Sequence, residues 1–324
     1  MIPSLETIIS RLRLKHLRLL VALNTHGSLL KAAEQVALSQ PGATKALQEI
    51  EAALGTTLFV RTNRGLEANA LGHCAIRYAR LITTDLANLR EEMSGIQQGY
   101  GGRVSVGVIM GAVPYLTEVL TRLLEKRPSV SVQIVEDTSA RLLHLLDGGR
   151  LDLAICRPSI SERPELYESI NVRDENLAVV GSTAHPLADV RRLELPDLAN
   201  YPWVVYSANM PMRLLLEREF HEAGLQFPLN LMETTSLFAT LAMLQRDPAR
   251  VAVLSVDVAQ FCTRFGLTRI LPLELRSRSD PYFLVKRLDR TLSPVGQLLL
   301  QEFTSGAAMR EMNSVAQLMA EGAA

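Results

Sequence analysis

No segment of this chain is apolar for long enough to cross a bilayer. The longest nearly apolar run, VSVGVIMGAVPYL, falls well short of the roughly 20 residues a spanning helix needs. The opening residues, MIPSLETIISRLRLKH, lack the apolar centre and small-residue cleavage site of an export signal, so a cytoplasmic location is expected. Cysteine is scarce. Cys74, Cys156 and Cys262 lie far apart and form neither a CxxC pair nor a disulfide framework. The six histidines, His16, His26, His73, His144, His185 and His221, show no HExxH or other metal spacing, so no metal site is expected. Neither GVIMGAVP nor DGGRLD has the spacing of a phosphate loop, and no paired nucleophile and base stands out, which argues against catalysis. Charge of one sign is lacking too: 34 basic residues balance 34 acidic ones.

What is present is apolar content of 48% in 324 residues, enough for two or three substantial cores. Residues 1–102 carry 11 basic and 8 acidic side chains and residues 103–324 carry 23 and 26, a mild bias towards a basic N-terminal part. From Leu14 to about Gly72 the pattern is helical with one interruption. Residues 69–98 read as one long helix, broken by GYGG at 99–102. Beyond Arg103, β-rich runs (RVSVGVI, VSVQIVED, LDLAIC, LAVVG, WVVY, LNLMET, VAVLSV, LTRILPL, PYFLVKR) alternate with helical patterns, which predicts parallel sheets with helices on both faces.

The stretch SLLKAAEQVALSQPGATKALQEIEAALG, Ser28 to Gly55, places two amphipathic patterns end to end with about four non-periodic residues between them. So tight a link suits a helix-turn-helix, which holds one helix across another for a DNA groove. In the second helix Ala43, Leu47, Ile50 and Leu54 form an apolar stripe, Ser39 is the expected N-cap, Pro41 sits in the first turn and Gly55 ends it. The opposite face offers Gln40, Thr44, Lys45 and Gln48 to base edges and phosphates. Periodicity alone fits a helical hairpin with a solvated face equally well. LFVRTNRGLEA then reads as two short strands around a turn bearing Arg61 and Arg64, the wing of a winged helix-turn-helix.

The stretch from His16 to Gly65, HLRLLVALNTHGSLLKAAEQVALSQPGATKALQEIEAALGTTLFVRTNRG, resembles the DNA-binding domain of the LysR-type transcriptional regulators. It carries the Ala32-Ala33 pair, Ser39-Gln40-Pro41, and Leu54-Gly55 followed by Leu58-Phe59 and Arg61. GGRVSVGV, GGRLDLAI, AHPLA and DLANYPWVVY extend the resemblance over the whole chain in the expected order. TKAL and NYPWVVYSANMPMR are similar to the branch containing regulators of sugar-binding-protein and protocatechuate operons. The resemblance places Gln40, Pro41, Thr44 and Lys45 on the recognition helix and Arg61 and Arg64 on the wing. Two positions depart from the family: Gly42 replaces a bulkier residue, which puts local rigidity in question, and Asn69 replaces a threonine at the start of the next helix, where Asn caps as well as Thr.

The resemblance implies a winged helix-turn-helix over 1–72, a linker and dimerisation helix over 69–98, a hinge at 99–102, and a two-lobed α/β effector domain over 103–305 like the type 2 periplasmic binding proteins. Lobe I is expected over about 103–178 and 284–305, lobe II over about 179–283, and a C-terminal tail over 306–324. The helix carries a stripe of Ala75, Tyr78, Ile82, Leu86, Leu89, Met93 and Ile96 that fits a coiled coil, a homodimer or homotetramer being implied. Ligands of open α/β sheets sit beyond the carboxyl ends of strands. That selects Met110, Gly111, Thr138, Ser139 and Arg157 from one lobe, and Tyr206, Ser207, Asn209, Arg213, Thr235 and Ser236 from the other. Ser139 and Ser236 fit helix N-caps equally well, Arg213 a surface ion pair and Arg157 a lobe brace. Two arginines with no aspartate evident at the strand ends favour an anion, so the effector is expected to be a small carboxylate, with no cofactor. The implied function is a regulator that binds double-stranded DNA and answers to a small molecule. The alternative is an enzyme or solute carrier of this two-lobed fold with an appended helical domain.

Overall fold

The computed structural model describes residues 2–62, 65–97, 101–208 and 210–305; Arg64, Asn209, part of the expected hinge and the tail 306–324 lie outside the described residues. The chain divides into two compact units, one formed by residues up to Tyr100 and the other by nearly all that follows.

The first unit contains α1 (Leu5–Arg11), α2 (Leu14–His26), α3 (Leu29–Gln35), α4 (Gln40–Leu54), β1 (Phe59–Thr62), β2 (Gly65–Ala68) and α5 (Ala70–Gln97). Gly27 ends α2 and Gly55 ends α4, both in the left-handed conformation that glycine adopts without a Cβ penalty. In the turn from α3 to α4, Ala37 takes a positive φ of 56°. Leu19, Leu20, Leu23, Ala33, Ala43, Ile50 and Leu58 close the core. The Glu51 carboxylate accepts the Leu58 and Phe59 N–H groups at 2.7 and 3.3 Å, which fixes the chain's entry into the β1–β2 hairpin. The Asn69 side chain then caps α5 by accepting the Gly72 N–H at 2.9 Å, and its amide donates to the Thr57 carbonyl at 2.8 Å. The early residues Ile76 and Ala79 of α5 are buried and Ala75 is packed at the edge of the same core, whereas Tyr78, Ile82, Leu86, Leu89, Met93 and Ile96 are exposed. The apolar stripe expected from Ala75 onward therefore splits: its start serves this unit's own core. Its remainder is exposed among the described residues.

The second unit runs β3 (Arg103–Val108), α6 (Val113–Lys126), β4 (Ser131–Glu136), α7 (Ser139–Asp147), β5 (Leu153–Cys156), β6 (Tyr167–Glu175), β7 (Leu177–Gly181), α8 (Leu195–Leu198), β8 (Trp203–Val205), α9 (Pro211–Glu222), β9 (Leu231–Glu233), α10 (Leu237–Arg246), β10 (Val251–Ser255), α11 (Val256–Arg264), β11 (Arg269–Ile270) and β12 (Ser279–Arg287), followed by helical residues 294–305. Two sheets result, ordered β4-β3-β5-β12-β6 and β11-β7-β10-β8-β9. Both are mixed, not parallel as expected: β12 runs antiparallel to β5 and β6, and β7 antiparallel to β10 and β11. The antiparallel members flank the crossings between lobes, where the chain must arrive at one sheet from the other.

Those crossings correct the expected lobe limits. The chain leaves lobe I at Asn176, between β6 and β7, and all of β12 from Ser279 belongs to lobe I, so Leu177 and Ala178 move from lobe I to lobe II and residues 279–283 from lobe II to lobe I. β6 was not anticipated. Its sequence YESINVRDE is largely polar, because it is an edge strand that pairs with β12 alone and exposes much of its length. Lobe II is anchored by the fully buried Trp203, whose indole N–H donates to the Leu198 carbonyl at 3.1 Å and whose ring meets Phe220 edge-on at 5.6 Å.

Candidate functional site

Two faces bring the candidate residues together, one in each unit. In the first, Ser39 caps α4 by accepting the Gly42 N–H at 3.2 Å. A Cβ at position 42 would stand 3.1 Å from that hydroxyl, so glycine leaves the cap unhindered room. With Ala43, Ala46 and Ile50 buried, the helix turns Gln40, Pro41, Lys45 and Gln48 to solvent; Thr44 is half-buried and its hydroxyl donates to the Gln40 carbonyl at 3.0 Å. Arg61 is exposed on β1, opposite Leu66 of β2. Amide, hydroxyl and cationic groups on one capped helix end, next in sequence to an arginine-bearing hairpin, can serve base edges and phosphates respectively.

Sequence reasoning missed the brace behind this face. His16 of α2 is 1% exposed and its Nε2 lies 3.4 Å from the Glu49 carboxylate of α4, a separation of electrostatic attraction more than of a well-formed hydrogen bond. Burial holds the His16 pKa below its usual value, with Glu49 pulling the other way.

In the second unit the candidates fare unequally. Met110 and Gly111 form a helical turn after β3, and Met110 packs against the core of lobe II. Thr138 is exposed and caps α7 through the Arg141 N–H at 3.4 Å. Ser139 accepts the Arg157 N–H at 3.2 Å. The Arg157 guanidinium is buried: it pairs with Glu175, donates to Ser279 Oγ at 2.9 Å and to the Asp280 carbonyl at 3.0 Å, and so clamps the starts and ends of the crossing strands. Tyr206 is buried and Ser207 half-buried. Arg213 pairs with Glu217 at 2.6 Å and Glu233 at 3.3 Å and stacks 4.4 Å over Phe227. Thr235 and Ser236 are exposed, and Ser236 caps α10 through the Ala239 N–H at 3.2 Å.

The expectation of an uncompensated arginine is thus overturned, because carboxylates engage both. The carboxylate that mattered was hidden by the unrecognised strand. Glu175 ends β6 and is 3% exposed; burial pushes its pKa up while Arg157 opposes the shift. Burial, then the Glu175 and Glu136 charges, raise the Tyr206 hydroxyl as well. A contact between the lobes was also missed: Asp257 at the start of α11 pairs with Arg173 of β6 and accepts the Tyr282 hydroxyl of β12 at 3.2 Å. Among the described residues no three His, Cys, Asp or Glu side chains gather as a metal site, and no helix is long and apolar enough to cross a membrane.

Comparison with known proteins is consistent across both units. The family described as "Bacterial regulatory helix-turn-helix protein, lysR family" matches residues 14–73, and "LysR substrate binding domain" matches residues 97–308. The regulator GbpR of Azospirillum brasilense is 33% identical over 287 residues, covering 88% of this chain and 84% of its own. PcaQ of Agrobacterium fabrum is 26% identical over 302 residues, covering 92% and 96%. Among solved structures, the regulator CbnR matches with a TM-score of 0.51 at 20% identity, over 90% of this chain and all of its own. The effector-binding domain of QuiR in complex with shikimate matches with a TM-score of 0.52 at 16% identity, over 64% and 98%. At such identities these two structures speak for the fold alone.

Proposed function

The chain belongs to the LysR family of bacterial helix-turn-helix regulators, and from that premise we propose how its own residues carry the work. It is a DNA-binding transcriptional regulator that responds to a small-molecule effector, and it is not an enzyme. The N-terminal half of α4 enters a major groove, with Gln40, Thr44 and Gln48 at base edges, Pro41 against the groove wall and Lys45 on phosphate; Arg61 of the wing takes a neighbouring phosphate. The observation that carries this reading is the capped, solvent-facing end of α4, whose opposite side is locked into the core. Arg64, the other wing arginine of the sequence reading, lies outside the described residues.

The exposed stripe from Tyr78 to Ile96 of α5 supports pairing of two copies, which presents two recognition helices to a two-fold site. The effector sits between the lobes, touched from Gly111, Ser139, Tyr206 and Ser207, and shifts the population of closure angles. A carboxylate effector loses the free guanidinium on which that finer expectation rested. A DNA-binding role supports a cytoplasmic location.

Footprinting with a salt titration tests the DNA face. Lys45→Ala and Arg61→Ala should each weaken binding to all sequences and flatten the salt slope by about one unit, whereas Gln40→Ala should alter preference between sequences. An unchanged slope in the Lys45→Ala, Arg61→Ala double variant would sink the assignment.

A further inference from the structure

Three side-chain atoms at the junction of the lobes are buried without a hydrogen-bond partner among the described residues: Glu175 Oε1, Ser255 Oγ and Tyr206 Oη. Their residues are 3%, 2% and 4% exposed, so bulk solvent does not reach them. They come from both lobes, Glu175 from the end of β6, Ser255 from the end of β10 and Tyr206 from just beyond β8. They also converge. Gly111 faces the Glu175 carboxylate so closely that a Cβ there would overlap Oε1, and the same Cβ would stand 3.3 Å from Ser255 Oγ. Buried polar groups are nearly always paired in native proteins, so an orphaned acceptor and two orphaned hydroxyls at one locus mark a place for something else.

The chemistry of the locus selects what that is. Glu175 Oε1 needs a donor, while the Ser255 and Tyr206 hydroxyls can donate to an acceptor; a hydroxyl is the neutral group that does both. An anion would meet Glu175 and Glu136, while the guanidinium groups of Arg157, Arg173 and Arg213 are already held by carboxylates. A cation gains little, because Arg157 already neutralises Glu175. We propose that the effector is an uncharged polyhydroxy compound, a sugar or polyol, with one hydroxyl donating to Glu175 Oε1 and its oxygens accepting from Ser255 and Tyr206. On the lobe I side Gly111 packs directly against the Glu175 carboxylate, so a ligand hydroxyl must reach Oε1 from the lobe II side. This rests on the reading of the interlobe cleft as the effector site. Since the three atoms are sealed from solvent, entry requires the lobes to part, and the ligand's hydroxyls then restore the missing bonds on closure.

Isothermal titration of the full-length protein with matched compounds tests the proposal: D-galactose against D-galactonate, D-glucose against D-gluconate, and D-glucosamine. At least one neutral sugar should bind, about tenfold or more tightly than its acid or amine counterpart. Ser255→Ala and Tyr206→Phe, which remove one hydroxyl each and leave the Arg157 clamp in place, should each weaken that sugar about tenfold. Melting curves without ligand establish that the variants fold; Glu175→Gln, which tampers with a buried ion pair, serves as a second measure and should narrow the preference for sugar over acid. An acid that binds more tightly than its parent sugar, and is weakened by the same variants, overturns the ligand class and leaves the cleft intact. A sugar whose affinity ignores all three substitutions overturns the cleft reading itself. Absence of binding by every neutral compound overturns the proposal as stated.

Discussion

Gly65 at the start of β2 lies directly against Gly27 at the end of α2. The Leu66 N–H donates to the Gly27 carbonyl at 2.8 Å, and a Cβ on Gly65 would overlap that same carbonyl. Gly65 also holds a φ of 127°, a conformation other residues rarely adopt. The hairpin bearing Arg61 is thus seated on the end of a core helix, where the close approach requires glycine at 65 and the left-handed helix end favours glycine at 27.

Gly65→Ala should therefore cost about 1–3 kcal/mol from backbone strain alone, with steric displacement of the hairpin added. Thermal denaturation should show the loss, and DNA affinity should fall because Arg61 rides on the displaced strand. Normal melting with normal affinity would mean that the two glycines do not seat the wing.

Asn69 does two jobs, capping α5 and tying it to Thr57. Asn69→Ala should destabilise the first unit by about 0.5–2 kcal/mol through loss of the cap. Asn69→Thr keeps a capping oxygen and gives up the bond to Thr57, so its melting temperature should fall between wild type and the alanine variant. Equal losses for Thr and Ala would show that the tie, not the cap, carries the stability.

His16 predicts a pH dependence of defined sign. Its pKa in the folded protein lies below the usual 6.5 because burial disfavours the imidazolium. The unfolded chain then binds the proton more readily, so the contribution is complete above about pH 6.5 and is lost as the pH falls through that value towards the folded pKa. Denaturant unfolding of the first unit should weaken from about pH 7 to about pH 5.5, and less steeply in His16→Asn. An NMR titration placing His16 above 6.5 would reverse the sign, and would mean that Glu49 outweighs burial.

Ile82 and Leu89 are 40% and 53% exposed within the chain. If α5 pairs two copies, Ile82→Asp with Leu89→Asp buries two carboxylates in an apolar seam, at a cost of about 2 kcal/mol or more each. Sedimentation should show monomers at concentrations where the wild type is assembled. A double variant that still assembles with unchanged affinity would move the main interface elsewhere.

The solvent-facing side of α4 was legible because its signals are local. Ser39, Pro41 and Gly55 act within one turn of themselves, and the spacing of Ala43, Leu47, Ile50 and Leu54 assigns the faces without knowledge of the rest of the chain. The cleft was only half legible. Strand ends pointed to Gly111, which lies against Glu175 and Ser255, and to Arg157, which holds the crossing strands, but Glu175 and Asp257 escaped. β6 pairs with β12 across more than a hundred residues of sequence, and its polar composition hides a strand whose partner only the fold supplies.

The sequence by itself determined the helix-turn-helix, the long α5 and the alternation of strands and helices, since periodicity, caps and turn residues are properties of neighbours in the chain. Tertiary structure alone decided the mixed order of the sheets, the lobe limits at Asn176 and Ser279, and the state of the two arginines. Whether a buried guanidinium is free for a ligand depends on which carboxylates the fold brings within about 4 Å of it. For Arg157 that partner, Glu175, stands at the end of another strand, and no local pattern records the meeting.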